Sequence, residues 1–200
     1  MQKTLGLDDL VANRTMNGEV ATALRDAARA RRSFVVLAVP RLAGKSTVLS
    51  AMLAERPRTA PVRTLGADTD DIGDLLVGAS NGYIVVPEIT PSAAMPGYIW
   101  GAPVRRVFTA IGARTALAAT LHAEGPEDAF AQICRGCGVP DGDAEKVSLV
   151  VSLRSLGTWE RPTRRVVASV HEVTGVRAGR PALRELFRWN EAEDRYVRAR

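Results

Sequence analysis

The stretch from Ser33 to Thr47 limits what this chain can fold into more than any other. Ser33 to Val39 reads SFVVLAV, an unbroken apolar run rich in β-branched residues. That is the pattern of a strand covered on both faces. A loop follows, Val39-Pro40-Arg41-Leu42-Ala43-Gly44-Lys45-Ser46-Thr47, and a helix is expected over Thr47 to Glu55, ended by Pro57. Buried strand, short loop and helix opening on Gly-Lys-Ser-Thr are the setting that a phosphate-binding loop requires. A helix N-terminus offers unpaired N–H groups and a positive dipole end to a phosphate. Gly44 lets the backbone come close, and the Lys45 ammonium reaches β- and γ-phosphates. The Ser46 hydroxyl is a ligand for Mg²⁺. Val39 to Thr47 are therefore the candidate ATP-binding residues, with Ser46 as the candidate metal ligand. One position departs from the usual pattern: the glycine expected five residues before Gly44 is Val39, and a β-branched residue resists φ > 0. Leu42 and Ala43 are also bulkier than the residues common there. Two readings stay open, a rearranged loop that binds MgATP and a degenerate loop kept for its strand–helix packing.

Two hundred residues fit one ordinary domain. Aromatic residues make up only 5% of them, so Val, Leu and Ala must do most of the packing. Strand-like runs alternate with helical patterns along the chain, which argues for an α/β domain. Asn17 caps a helix expected to reach about Arg32. Val62–Leu65, Tyr83–Val86 and Thr115–Leu121 read as strands, and Asp70 or Asp71 starts a helix between the first two. Thr90 to Gly101 reads as loop, Val104 to Ile111 as helix, and Pro126 as the first turn of another helix. Val147–Arg154 and Arg164–Val173 read as antiparallel strands, with a last small hairpin from Leu186–Trp189 and Tyr196–Arg198. The expected organisation is an N-terminal extension over 1–15, a nucleotide-binding core over 16–146 and a β-rich part over 147–200.

The formal charge of +5 invites a nucleic-acid or anionic-membrane partner. The arginines are scattered rather than gathered into a patch, which argues against nucleic acid. Only Lys3, Lys45 and Lys146 are lysines among 27 basic residues, and this scarcity sets Lys45 apart. Two cysteines, Cys134 and Cys137, are too few for a disulfide scaffold and point to an intracellular protein. Their C-x-x-C spacing lacks the second pair that zinc needs, and two small buried thiols are the expected reading. No apolar run reaches the roughly 18 residues of a membrane span, and MQKTLGLDDL carries no signal-peptide core.

Two further strand ends carry chemistry. Tyr83-Ile84-Val85-Val86-Pro87-Glu88 brings a carboxylate to the ligand-facing end of a strand, and Thr115–Leu121 ends at His122. Glu88 is the candidate to polarise an attacking water, and His122 the candidate to sense a γ-phosphate. The competing readings are a solvent-facing acid and a satisfied loop histidine.

The three signals stand in the order GKST at 44–47, IVVPE at 84–88 and ATLHA at 119–123. With the tail RRVVASVHEVTGV and ALRELFRWNEAEDRY, the chain resembles the type II/type IV secretion ATPase family, which includes the type IV pilus motors. The resemblance runs over most of residues 16 to 197. It implies a RecA-like fold with a mostly parallel sheet, helices on both faces and antiparallel strands toward the C-terminus. It assigns Lys45 and Ser46 to phosphate and Mg²⁺, Glu88 to the catalytic Walker B glutamate and His122 to the His box. It implies ATP and Mg²⁺ as cofactors, a cytoplasmic place peripheral to the inner membrane, and a hexameric homo-oligomer on an inner-membrane platform. Several departures accompany it. Pro87 stands where the family has glycine, and no Asp box is recognisable, with Asp68, Asp70 and Asp71 as stand-ins. About 16 residues precede the first expected helix, leaving no room for the family's N-terminal domain. These departures leave the alternative of a non-hydrolysing module that partners an intact secretion ATPase in a hetero-oligomer. Arg105 and Arg106 are candidates to reach a phosphate across a subunit boundary, against the commoner reading of solvated helix arginines.

Overall fold

The computed structural model describes residues 4–39, 43–66, 71–92, 95–158 and 161–198. Two helices, α1 (Leu7–Ala12) and α2 (Gly18–Arg29), lead into β1 (Phe34–Ala38). Then come α3 (Lys45–Ala54), β2 (Val62–Thr64), α4 (Ile72–Gly78), β3 (Gly82–Ile89) and β4 (Tyr98–Ile99). They are followed by α5 (Ala102–Ala110), β5 (Thr115–Leu121) and α6 (Pro126–Phe130), which runs on as a π-helical turn over Ala131–Gly136. The chain ends with α7 (Asp141–Ala144), β6 (Leu149–Gly157), β7 (Pro162–Arg177), β8 (Arg180–Asn190) and β9 (Arg195–Arg198). The strands form one sheet in the order β2-β3-β5-β1-β6-β7-β8-β9, with β4 added beside β3. Every pairing from β2 to β6, β4 included, is parallel, and β6 to β9 pair antiparallel. The fold is α/β with a mostly parallel central sheet and antiparallel strands at the C-terminal end, as the sequence suggested.

Side-chain alternation explains why β1 is apolar throughout. Phe34, Val36 and Ala38 join one core with α1, α2 and α3, and Val35 and Leu37 join a second core with α4, α5 and α6. β5 divides in the same way, Ala116 and Ala118 on the first face, Leu117, Ala119 and Leu121 on the second. The end of α2 is pinned by Tyr83, whose hydroxyl, deep in the core, donates to Arg32 O at 3.1 Å and Ala28 O at 3.3 Å. Asn17 Oδ1 accepts from Val20 N at 2.9 Å and starts α2 as its cap.

Several elements differ from the sequence reading. The first helix is α1, inside the expected extension: Leu7 and Leu10 are buried, too few apolar positions for a periodic signal to show. α3 begins at Lys45 rather than Thr47, because Gly44 turns in the left-handed region at φ 93° and caps it. Part of the loop-like 90–101 stretch is strand: Tyr98 and Ile99 pair with Glu88 and Ile89. Gly97 permits this, since a Cβ there would lie 2.2 Å from Leu65 O. β7 and β8 are one long hairpin whose polar positions, set on a partly solvated face, hid its length from the pattern. Its tip, Ala178 and Gly179, is held by Asp141, which accepts both N–H groups at 2.7 and 2.9 Å.

Candidate nucleotide site

β1, β3 and β5 lie side by side and parallel, so their C-terminal ends open on the same edge of the sheet. α3 leaves that edge across the first core. His122, one residue past β5, follows Ala116, Ala118 and Thr120 in the two-residue repeat and so faces α3. Glu88 should face away. Counting from Ile84 and Val86, which lie in the second core, residue 88 belongs to that same face. The β3–β5 register shifts between Val86 and Ile89, however, and Ile89 returns to the second core opposite Leu121. The extra residue is a bulge, and it turns Glu88 to the α3 side. Pro87 lies within it, where the missing N–H costs no regular ladder bond, and its carbonyl accepts from the Thr120 hydroxyl.

The three side chains meet. Lys45 Nζ lies 3.3 Å from Glu88 Oε2 and 3.1 and 3.2 Å from the two ring nitrogens of His122. The Lys45 and Glu88 side chains are only 8% and 6% exposed, so this ion pair is screened from water. Glu88 Oε2 also accepts from Thr120 Oγ1 at 2.7 Å. Glu88 Oε1 is buried and has no hydrogen-bond partner among the described residues. His122 Nδ1 is 3.2 Å from Ala38 O. With the proton on Nδ1 donated to that carbonyl, Nε2 keeps its lone pair for the Lys45 ammonium. Gln132 Nε2 donates to His122 O at 2.9 Å and ties the histidine to the π-helical turn.

A cavity of about 730 Å³ opens over this cluster, lined by Gly44, Lys45, Ser46, Thr47, Glu88 and His122 among others. Ser46 and Thr47, in the first turn of α3, present exposed hydroxyls to it. The donor set fits a metal–phosphate group: an ammonium, a helix N-terminus of ten residues, an alcohol for a hard cation, and a carboxylate oxygen still lacking a partner. Val39 is 48% exposed and is not among the residues with positive φ, so the strand leaves toward the loop without the turn a glycine would make. Pro40, Arg41 and Leu42 lie outside the described residues; Ala43 is buried beside the cavity.

Of the acids considered for the missing box, Asp68 and Asp70 lie outside the described residues, and Asp71 caps α4 by accepting from Asp74 N at 3.0 Å. Arg105 donates to Cys137 O at 2.6 Å and, with Arg106, borders a separate hollow between α4 and α5. Cys137 is buried but Cys134 only partly so. Burial pushes the Cys134 thiol up to about 11, helped by Asp141, and raises Cys137 as well. Both stay protonated at neutral pH and are poor nucleophiles. Among the described residues no group of His, Cys, Asp and Glu is placed to hold a metal by itself. Sequence reasoning missed Thr120 and Gln132. Thr120 stands inside the quoted ATLHA, and a lone hydroxyl at the end of an apolar run was the available signal.

The fold is that of the type IV secretion ATPases, RecA-like in its mostly parallel core with antiparallel strands added. The structure is similar to the VirB11 ATPase of the Brucella suis type IV secretion system, solved in complex with sulphate, at TM-score 0.55 and 18% identity over 85% of this chain and 57% of that one. It is also similar to the Legionella pneumophila ATPase DotB, at TM-score 0.53 and 13% identity over 79% of this chain and 48% of that one. The chain thus spans less than two thirds of either relative. No protein-family model matches the sequence, and no curated protein does. No helix among the described residues is long and apolar enough to cross a membrane.

Proposed function

We propose that this chain is an ATP-binding motor part of the secretion-ATPase type, hydrolysing MgATP to drive pilus assembly or secretion. The observation that carries the proposal is the convergence of Lys45, Glu88 and His122, from three separate elements, on one cavity at a helix N-terminus. Incoming phosphate oxygens draw the Lys45 ammonium away from Glu88, and the β- and γ-phosphates lie along the first turn of α3. Glu88, freed of its cation, takes a proton from the attacking water as the water oxygen bonds to the γ-phosphorus. The bond from that phosphorus to the β–γ bridging oxygen breaks, and ADP leaves with the electron pair. Once Lys45 has moved to the phosphates, His122 with its ring proton carried on Nε2 donates to the γ-phosphate and loses that partner on release. Mg²⁺ supplies charge neutralisation on the phosphate oxygens, with the Ser46 hydroxyl holding it.

The surroundings follow from the same reading: a hexameric homo-oligomer, cytoplasmic and peripheral at the inner face of the cell membrane, working on a platform protein there. Ion pairing supports leaving nucleic acid out. Arg32 and Arg184 are paired to Glu172, Arg154 to Glu191, Arg188 to Glu185 and Arg195 to Glu193, so the positive formal charge is distributed rather than displayed. Val39 favours a second reading, a non-hydrolysing module in a hetero-oligomer with an intact secretion ATPase, because it stands at the expected glycine position without a positive φ.

Calorimetry with MgATP on the wild type and Lys45→Ala decides whether the loop works. Micromolar binding that vanishes in the variant supports the phosphate site, and no binding by either removes it. Phosphate release by Glu88→Gln separates the two readings. Loss of a measurable wild-type rate supports hydrolysis, and a wild type that binds ATP without turnover supports the module.

A further inference from the structure

A second hollow, of about 470 Å³, lies between α4 and α5 on the second-core side of the sheet. Two helical repeats build it. Val104, Val107 and Phe108 turn one face of α5 inward, which leaves Ala102, Arg105, Arg106 and Thr109 together on the outer face. Ile72 and Leu76, one turn apart on α4, supply an apolar floor, and Pro140 adds to it. Leu76 is half-buried, and Ala102 and Pro140 are exposed, so apolar surface here is within reach of another molecule.

Charge borders this floor. Among the described residues no carboxylate pairs with Arg105 or Arg106. Arg105 donates one N–H to Cys137 O at 2.6 Å, which fixes the side chain and leaves its other donors for a ligand. Asp143 accepts from Thr109 Oγ1 at 3.1 Å, but its charge is answered by Lys146 at 2.7 Å. An apolar floor beside two arginines without acidic partners is the complement of an apolar side chain flanked by carboxylates. On a helix, side chains three and four apart share a face and present that combination.

We propose that the α4–α5 hollow is a docking site for an acidic amphipathic helix of a partner protein. One apolar side chain of that helix sits over Ile72, Leu76 and Ala102, and carboxylates a turn away pair with Arg105 and Arg106. The occupant is a different protein rather than a second copy, because the acidic segments of this chain are committed. Leu7 and Leu10, which flank Asp8 and Asp9, are buried in the first core. Asp141 holds the β7–β8 tip, and Glu191 and Asp194 are paired with Arg154 and Arg164. Two copies of formal charge +5 also repel.

The test uses fluorescence anisotropy on the full chain with three labelled, helix-stapled peptides. They repeat Glu-Glu-Leu-Leu, Lys-Lys-Leu-Leu and Glu-Glu-Ala-Ala. The first should bind at least about tenfold more tightly than either of the others, since only it carries both the acid and the anchor. Arg106→Glu and Ala102→Glu should each weaken that binding about tenfold or more with the thermal midpoint unchanged, and Arg106→Lys should retain part of it. Arg58→Glu makes the same change of charge at a residue that does not line the hollow, and should have little effect. No binding by the acidic Leu peptide, no preference for it, or equal losses in Arg58→Glu and Arg106→Glu overturns the site. Sedimentation of the wild type as a dimer that Arg106→Glu dissociates would seat a second copy there and overturn the acidic partner.

Discussion

Lys45 and Glu88 form an ion pair, and burial makes that pairing consequential. Removing one member of a buried pair strands the other charge, which costs about 3–5 kcal/mol. Lys45→Met or Glu88→Leu should each lose about 3 kcal/mol of unfolding free energy, and the double variant should recover most of it. Urea denaturation of the four proteins measures the coupling, and additive losses would mean that the two charges do not interact. Thr120 orients the carboxylate. Thr120→Val keeps the shape and removes the donor, and should cost about 1 kcal/mol of stability. Under the hydrolytic reading it lowers kcat with little change in KM, whereas a purely structural role would lower stability alone.

At the scale of elements, β3 shows how one inserted residue decides chemistry. The Val86–Ile89 bulge brings Glu88 to Lys45, and without it the carboxylate would point into the second core beside Val86. The β7–β8 hairpin carries a titration of its own. Burial lowers the His171 pKa, against the opposing pull of Glu185 and Glu127, and its Nδ1 has no partner among the described residues. The folded state thus favours neutral imidazole. The resulting stability is complete above the unfolded pKa of about 6.5 and is lost as pH falls through the lower folded value. The urea midpoint should therefore drop between pH 7.5 and 5.5, and His171→Leu should flatten that drop. An equal slope in the variant would assign the pH dependence elsewhere.

For the whole molecule, the two ends of the chain meet over the cavity. Arg14 and Thr15 come from the N-terminal segment, and Arg164, Asp194 and Tyr196 from the C-terminal hairpins. Hydrogen bonds from Arg164 and the Trp189 indole hold the Asp194 carboxyl well below the ordinary carboxylate range. Its contribution is present above the unfolded pKa of about 3.9 and lost as pH falls through the folded value. Asp194→Asn should make the protein less stable at neutral pH and less sensitive below about pH 4. Hydrogen exchange at Val167 N–H, bonded to Thr15 O, should quicken in the same variant, and unchanged protection there would separate the clamp from the N-terminal segment.

The apolar runs determined β1, β3 and β5 by themselves, because a strand buried on both faces is built almost wholly of apolar residues and so is legible without any partner. The same holds for the Gly44-Lys45-Ser46 turn, whose chemistry is local to a helix N-terminus. What stayed hidden depended on neighbours distant in sequence. α1 has too little periodicity to be seen, and becomes a helix by packing Leu7 and Leu10 into the first core. Thr120 acquires a role only because Glu88 is turned to it from the next strand. Strict alternation, the one rule a sequence offers for a strand, sends Glu88 to the wrong face. Register against β5 reverses it, and register is set by the pairing of two strands, not by either strand alone.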